Sequence, residues 1–361
     1  MNNRRRLLKA SGLAGILAAG AAPAVVMAQQ NVRWHLASSF PKSLDNLFGP
    51  SELFARNVAE ATGGRFQITL HAAGELVPAF GVVDAVQSGT VECAHTAPYY
   101  FFGKDETFAF DCTIPFGMNS RQHTAWMYEG NGLKLLREFY AQYDIVNFPM
   151  GNTGAQMGGW YRKEIRSVAD LDGLRMRIGG FGGRVLARLG LISQNIPAGE
   201  VYSALEKGTI DATEFVGPYD DLRLGLYRVA PYYYFPAWWE GGAQVSLYVN
   251  SKAWDTLSPE YKAIVQLAAS ESHISMQARY DARNPTALKQ LIAEGAKLSR
   301  MPRDVMDAAF KASREVYAEL NESNANWRRI YADYTRFHSD QLQWEPIAEG
   351  TYNQYMAGRK L

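Results

Sequence analysis

Two stretches of this chain, 119 positions apart, share one pattern: Ala85-Val86-x-x-Gly89-Thr90-Val91-Glu92 and Ala204-Leu205-x-x-Gly208-Thr209-Ile210-Asp211. Each reads as a helix end, a glycine that closes the helix in the left-handed conformation, and the start of a strand. Such turns are common in isolation. As a repeat, they predict two lobes built on one βα plan, with His95 and Glu214 at equivalent strand ends. Ligands of open α/β sheets bind beyond the carboxyl ends of strands, so both positions are expected to face a cleft. The rest of the first half fits. Strand-like segments at 32–37, 66–71 and 91–96 alternate with helical patterns at 44–61 and 80–87, which argues for parallel sheets flanked by helices. Helices over 122–128 and 133–143 then lead to a strand at 145–150.

Farther on, residues 244–250 alternate apolar and polar, which predicts a half-buried strand. Ser258-Pro259-Glu260 supplies an N-cap, a proline at the first helical position and an early acid. The helix it opens is expected to end near Arg283, before Pro285. Apolar stripes at Met306, Phe310, Tyr317 and Leu320, and at Trp327, Ile330, Tyr334 and Phe337, mark further helices. These stripes read as core. The alternative for so long and aromatic a tail is a homodimer formed through the C-terminal helices.

The first 28 residues are of a different kind. Arg4-Arg5-Arg6-Leu7-Leu8-Lys9 precedes an apolar stretch broken by Gly12, Gly15, Gly20 and Pro23 and ending in Val26-Met27-Ala28. This predicts a cleaved signal peptide over residues 1–28, with the mature chain beginning near Gln29 in the periplasm. The Arg-Arg-x-Leu-Leu-Lys order fits the twin-arginine type ahead of an ordinary secretory signal. Four of the 37 basic residues and none of the 36 acidic ones lie in this leader, so the mature chain is net negative. It has no basic stripe to follow a phosphate backbone, which argues against nucleic acid as a partner. Cys93 and Cys112 belong to no CxxC motif and read as two small buried thiols.

No catalytic or metal motif stands out. The six histidines lie at least 24 positions apart, which excludes HExxH and zinc-finger spacing. GxSxG, the P-loop and GxGxxG are absent as well. Gly179-Gly180-Phe181-Gly182-Gly183 has the wrong spacing for a phosphate cradle and reads as close backbone approach to a ligand or a neighbouring helix. What does stand out is four polar stretches rich in glycine or aromatic residues. They are residues 151–160 with Gln156, 174–180 with Arg175 and Arg177 on one strand face, 211–218 with Glu214, and 232–242 with Trp238, Trp239 and Glu240.

The residue types suggest a chemistry. A guanidinium offers parallel N–H donors that match a carboxylate, a fork that lysine does not reproduce. Most strand arginines are salt-bridged structural groups, but the glycines around Arg177 leave room for a ligand. Carboxylates at 214 and 240, if both enter a cleft, need a cation, and oxygen-only ligation suits sodium, calcium or magnesium.

At these stretches the chain resembles the periplasmic solute-binding subunits of TRAP transporters, and within them the members that bind 2-oxo acids. The resemblance spans essentially the whole mature chain. It takes in Leu36-Ala37-Ser38-Ser39-Phe40-Pro41, Ala73-Gly74-Glu75-Leu76 and Leu205-Glu206-Lys207-Gly208-Thr209-Ile210-Asp211-Ala212. It implies an α/β, two-lobed periplasmic binding protein fold, each lobe a mixed sheet flanked by helices, with a cleft between them and a long helical C-terminal region. The lobes would be 29–150 completed by about 245–285, and 151–244 completed by helices at about 286–361. The implied function is capture of a small monocarboxylate, a 2-oxo acid such as pyruvate, for transport through the TRAP membrane subunits, with no enzyme activity. The alternatives are a 2-hydroxy acid such as lactate, or an exported metal-dependent enzyme acting on a small oxo acid.

The resemblance also assigns residues. Arg177 holds the position of the family's usual carboxylate anchor. Gln156, Phe40, Tyr100 and Trp239 join it at the ligand, within an aromatic wall that includes Tyr99 and Trp238. The Gln156 amide oxygen, the Glu214 and Glu240 carboxylates and the Phe215 backbone carbonyl would coordinate the metal, although many relatives carry tryptophan at the Phe215 position. With Arg177 positive and Glu214, Glu240 and the ligand negative, sodium leaves one net negative charge and calcium leaves none. The resemblance favours sodium, with calcium as the alternative. Replacing Arg177 by alanine is expected to abolish carboxylate binding with the fold intact.

Overall fold

In the computed structural model, which describes residues 31–359, the strand-forming segments sort into two sheets. The leader predicted at residues 1–28 lies outside the described residues. In chain order the strands are β1 (Val32–Ser38), β2 (Phe66–His71), β3 (Cys93–Thr96), β4 (Ile145–Asn152), β5 (Trp160–Tyr161), β6 (Arg175–Arg177), β7 (Ile192–Gln194), β8 (Ala212–Thr213), β9 (Tyr232–Phe235), β10 (Gln244–Asn250) and β11 (Lys297–Arg300). The first sheet runs β2-β1-β3-β10-β4 and the second β11-β9-β5-β8-β6-β7. Parallel pairing joins β2, β1 and β3 in one sheet and β8, β6 and β7 in the other, while β10 runs antiparallel to both its neighbours. Mixed sheets flanked by helices are the architecture that the resemblance implied, whereas the alternation of elements had pointed to parallel sheets, and antiparallel β10 makes the difference in the first sheet.

The sequence repeat is a repeat of hydrogen bonds. Gly89 and Gly208 take φ values of +73° and +72°. The amide after each glycine, Thr90 and Thr209, donates to the carbonyls of Ala85 and Ala204 at 2.9 and 3.0 Å, the helix-closing bond for which a left-handed residue is needed. Val91 and Ile210 then enter the core fully buried.

The chain passes between the sheets after β4, after β9 and along the helix Pro259–Ala293. The Ser258 hydroxyl caps this helix by accepting from the Tyr261 amide at 3.2 Å. Contrary to expectation, the helix continues through Pro285 to Ala293. A proline inside a helix removes one backbone bond and crowds the preceding turn, but here tertiary contacts hold the helix on the N-terminal side of Pro285. Tyr280 donates to Asp220 at 2.5 Å, Arg283 to Asp45 at 3.0 Å, and the Asn284 side chain accepts from the Tyr219 amide at 3.0 Å. These bonds tie one helix both to Asp45, which follows β1, and to residues 219 and 220, which follow β8.

β10 also departs from expectation. All seven of its residues are buried, because it lies between β3 and β4 rather than at a face open to water. Its polar side chains find donors and acceptors inside the core: Asp111 accepts from Gln244 at 2.9 Å and from Tyr248 at 3.1 Å, while the Gln244 amide oxygen is left without a partner. The predicted helical stripes do reach the core at Tyr317, Leu320, Trp327, Ile330 and Tyr334, whereas Phe310 is half exposed. Beyond residue 340 the chain leaves Leu342, Trp344, Ile347, Tyr352 and Tyr355 largely uncovered. Cys93 and Cys112 are both free and buried.

Asp221 fastens the centre of the second sheet. Its carboxylate accepts from the Trp160 indole at 2.9 Å and the Tyr233 hydroxyl at 2.6 Å, beneath two rings stacked 3.8 Å apart. Asp221→Ala would leave both donors buried without an acceptor, and we expect urea denaturation to read a loss of about 2–5 kcal/mol. Burial pushes the Asp221 carboxyl up to about 7, above an unfolded value of about 3.9. Its contribution is therefore complete below about pH 4 and is lost as pH rises through about 7. Asp221→Asn does not titrate, so the melting temperature of the wild type should gain on that of the variant between pH 8 and pH 5.

Candidate functional site

The parallel pairing of β6 with β8 sets Arg177 beside Thr213, and the Glu214 amide continues the ladder to the Arg177 carbonyl at 3.1 Å. This register brings two ionisable side chains together at the strand ends. The Arg177 guanidinium meets the Glu214 carboxylate directly, donates to the Glu214 backbone carbonyl at 3.1 Å and donates through Nε to the Ile196 carbonyl at 3.1 Å. Both residues are buried, Arg177 to 1% exposure and Glu214 completely. The Phe215 ring lies under the guanidinium, 5.5 Å away.

Gln156 and Glu240 reach the same place from the two connections between the sheets. Their main chains are joined, since the Gln156 amide donates to the Glu240 carbonyl at 3.1 Å and the Ala237 amide donates to the Gln156 carbonyl at 3.1 Å. The Gln156 side chain is oriented by Thr153, whose hydroxyl accepts from Nε2 at 3.1 Å. The amide nitrogen is thus occupied and the amide oxygen is left over.

A small cavity lies between the sheets. Phe40, Tyr99, Tyr100, Gln156, Arg177 and Phe215 line it, as do Thr153 and the apolar residues Leu47, Ala97, Val216, Ala243 and Val245. Of the predicted ligand contacts, Phe40, Tyr100, Gln156 and Arg177 therefore lie at the cavity. Trp239 does not line it. It is buried in the core against Trp238, 4.9 Å between ring centres. His95, expected at the cleft, stands behind Phe40 with its ring hydrogen-bonded to Ser51 at 3.0 Å, and burial lowers its pKa to about 3. It is a neutral packing group. Arg175 is engaged elsewhere, in a two-point pair with Asp211 at 2.8 Å for each bond.

Sequence reasoning missed Thr153 and the apolar lining. A hydroxyl three residues before a candidate amide was the available signal for Thr153; the lining residues carry none. The glycine run proves to be a docking surface for a side chain. A Cβ at Gly179 would stand 2.6 Å from the Tyr99 ring and one at Gly180 2.8 Å from the Tyr99 Cβ.

The electrostatics are unbalanced. Burial raises the pKa of Glu214 against the opposing pull of Arg177. Burial and then the neighbouring Glu214 charge raise that of Glu240 well above the carboxylate range. Burial pushes the Tyr100 hydroxyl up to about 12, with Arg177 pulling the other way. Burial also opposes the charge on Arg177, but Glu214 and the other neighbours outweigh it and raise the pKa further. Three buried oxygens, Gln156 Oε1, Glu214 Oε2 and Glu240 Oε2, have no hydrogen-bond partner. Native proteins rarely leave such atoms unsatisfied, and a set of two carboxylate oxygens and an amide oxygen is what a hard cation takes. The residues present therefore fit a sodium or calcium ion held by Gln156, Glu214 and Glu240.

Comparison with known proteins agrees with this chemistry. The model for "Bacterial extracellular solute-binding protein, family 7" matches residues 37–324. A monocarboxylate 2-oxoacid-binding periplasmic protein from Nostoc sp. is 47% identical over 325 residues, 90% of this chain and 89% of that protein. A TRAP transporter solute-binding protein from Bordetella bronchiseptica is 50% identical with a TM-score of 0.90 over 91% of this chain and 97% of its own. It was crystallised as a mixed-occupancy dimer with copurified calcium and picolinate in one active site. A TRAP periplasmic solute-binding protein from Pseudoalteromonas atlantica, with bound sodium and pyruvate, is 38% identical with a TM-score of 0.87, covering 90% of this chain and 99% of its own.

The geometry changes what Arg177→Ala should do. Removing the guanidinium strands a buried carboxylate, so the variant should lose about 3–5 kcal/mol of stability besides its carboxylate donor. Adding Glu214→Gln should recover much of the stability and none of the binding, a separation that denaturation and calorimetric titration of the same samples will read.

Proposed function

The chain belongs to bacterial extracellular solute-binding protein family 7, and on that premise we propose that it is the solute-binding subunit of a TRAP transporter that captures a small 2-oxo acid such as pyruvate with a cation. The observation that carries this reading is the set of three unpartnered oxygens, Gln156 Oε1, Glu214 Oε2 and Glu240 Oε2, beside the buried Arg177. A cation there satisfies all three and offers its remaining coordination positions to a ligand with adjacent carboxylate and keto oxygens. We assign the Phe215 carbonyl to the same shell. Arg177 has donors to add to a ligand carboxylate, and Phe40, Tyr99 and Tyr100 exclude water around a short apolar tail.

Sodium is the first choice and calcium the alternative. With Arg175 committed to Asp211, a sodium-filled site keeps one negative charge and a calcium-filled site none. In this reading the protein binds and releases its ligand unchanged, which its membership of a solute-binding family supports. The predicted leader puts it in the periplasm, where it delivers ligand to the TRAP membrane subunits. The residue ranges 29–150 with 245–285 and 151–244 with 286–361 are read as lobes that hinge about the crossings between the sheets. The uncovered apolar residues beyond 340 suit a homodimer through the C-terminal helices.

The test is thermal shift with pyruvate, 2-oxobutyrate and lactate, run alongside the ligand's NMR spectrum. Stabilisation by a 2-oxo acid with an unchanged ligand spectrum is expected, and turnover would refute the proposal. The shift should vanish in sodium-free buffer with chelator and return with sodium or calcium chloride. Glu240→Gln should weaken cation and ligand together.

A further inference from the structure

The loop that carries Glu240 is gripped on its far side by a strap of residues 114–118, and the grip passes through one strained residue. Phe116 adopts φ +52°, a left-handed conformation that is costly for a bulky side chain and persists only where the surroundings impose it. What holds it there is Trp238, two residues before Glu240. The Phe116 amide donates to the Trp238 carbonyl at 2.7 Å, and the Phe116 ring stacks on the Trp238 ring at 5.3 Å with 13° between planes. The strap is anchored in turn by the C-terminal helices. Tyr317 donates to the Pro115 carbonyl at 2.5 Å, the Met118 amide donates to the Tyr334 hydroxyl at 2.7 Å, and Phe310 packs edge-on to Phe116 at 5.1 Å. The following glycines leave no slack, since a Cβ at Gly242 would stand 2.4 Å from the Ser120 amide nitrogen.

On its near side the same loop is bonded to Gln156 through both backbone groups. The loop is therefore fixed from two directions, by a proposed cation ligand on one face and by Phe116 on the other. We propose that Phe116 is a positioning residue for the cation site, holding Trp238 so that the Glu240 carboxylate stays in register with Gln156 and Glu214. This rests on the function proposed above. A left-handed backbone turned toward Trp238, rather than the relaxed conformation available to a free loop, is spent on making one hydrogen bond and one stack to the loop that bears the ligand. Groups behind a metal ligand act by fixing its orientation, and their loss typically lowers metal affinity by about 10–100-fold.

Two variants separate the ring from the backbone. Phe116→Gly adopts the left-handed conformation freely and removes the ring, whereas Phe116→Leu keeps the strained backbone and loses the stack. Calcium affinity, pyruvate affinity and unfolding midpoint are measured for each by calorimetry and denaturation. Both variants should bind calcium about 10-fold or more weakly, and Phe116→Tyr should stay within about 2-fold of wild type. A purely structural role would lower the unfolding midpoint without moving the affinities, and calcium binding within about 2-fold of wild type in Phe116→Gly and Phe116→Leu overturns the proposal. If neither folds, Phe310→Ala loosens Phe116 from the solvent side. Weaker calcium binding then supports the proposal and unchanged binding overturns it. Failure of the wild type to bind pyruvate would sink the parent reading alone, because the calcium titrations still judge the strap.

Discussion

A guanidinium and a carboxylate buried against each other are the constraint on which the rest of this molecule depends. Taking Arg177 and Glu214 out of water is costly, and their mutual attraction repays it only with good geometry and further hydrogen bonds. The fold supplies these through the β6–β8 register, the Ile196 and Glu214 carbonyls and the ring of Phe215. Glu240 then adds a second buried carboxylate that Arg177 alone cannot balance. A site with one fixed positive and two potential negative charges is made for a cation, and the raised pKa values of both glutamates express the same imbalance.

The groups at this site come from segments far apart in sequence, so their relative placement depends on how the sheets are joined. Two of the three crossings, the segments after β4 and β9, carry Gln156 and Glu240 and are bonded to each other by their backbones. The third is the Pro259–Ala293 helix, bonded to Asp45 near one sheet and to Tyr219 and Asp220 near the other. Two of the connections thus carry part of the site. Motion of one sheet relative to the other would alter the donor set directly, without an intermediate relay.

Much of this was legible in the residues. The helix-glycine-strand repeat is realised bond for bond, because glycine is the residue that enters the left-handed conformation without steric cost. Gln156, Arg177, Glu214 and Glu240 were conspicuous as polar groups among glycines and aromatics. Other features were hidden for physical reasons. The alternation of 244–250 suggested a wet face, since a sequence does not reveal that Asp111, more than 130 residues earlier, accepts from Gln244 and Tyr248 inside the core. Pro285 looked like a helix end because its local penalty is visible and the distant bonds that offset it are not. Trp239 resembled wall and is core, as a tryptophan beside a glycine-rich segment gives no sign of which side it packs on. Phe116 carries no sequence signal of its left-handed backbone.

The contact between Tyr99 and Gly179-Gly180 has a consequence for size selection. Because neither glycine has room for a Cβ beneath that tyrosine, the sheets meet there at a separation fixed by one aromatic ring resting on bare main chain. The ring acts as a gauge block. Tyr99 also lines the cavity, so the block that stops further approach stands at the edge of the space it defines. Under the hinge motion proposed above, the ring would stop the sheets from closing further around a short ligand and would have to lift from its seat for a longer one. Discrimination by length then needs no contact with the end of the ligand's tail.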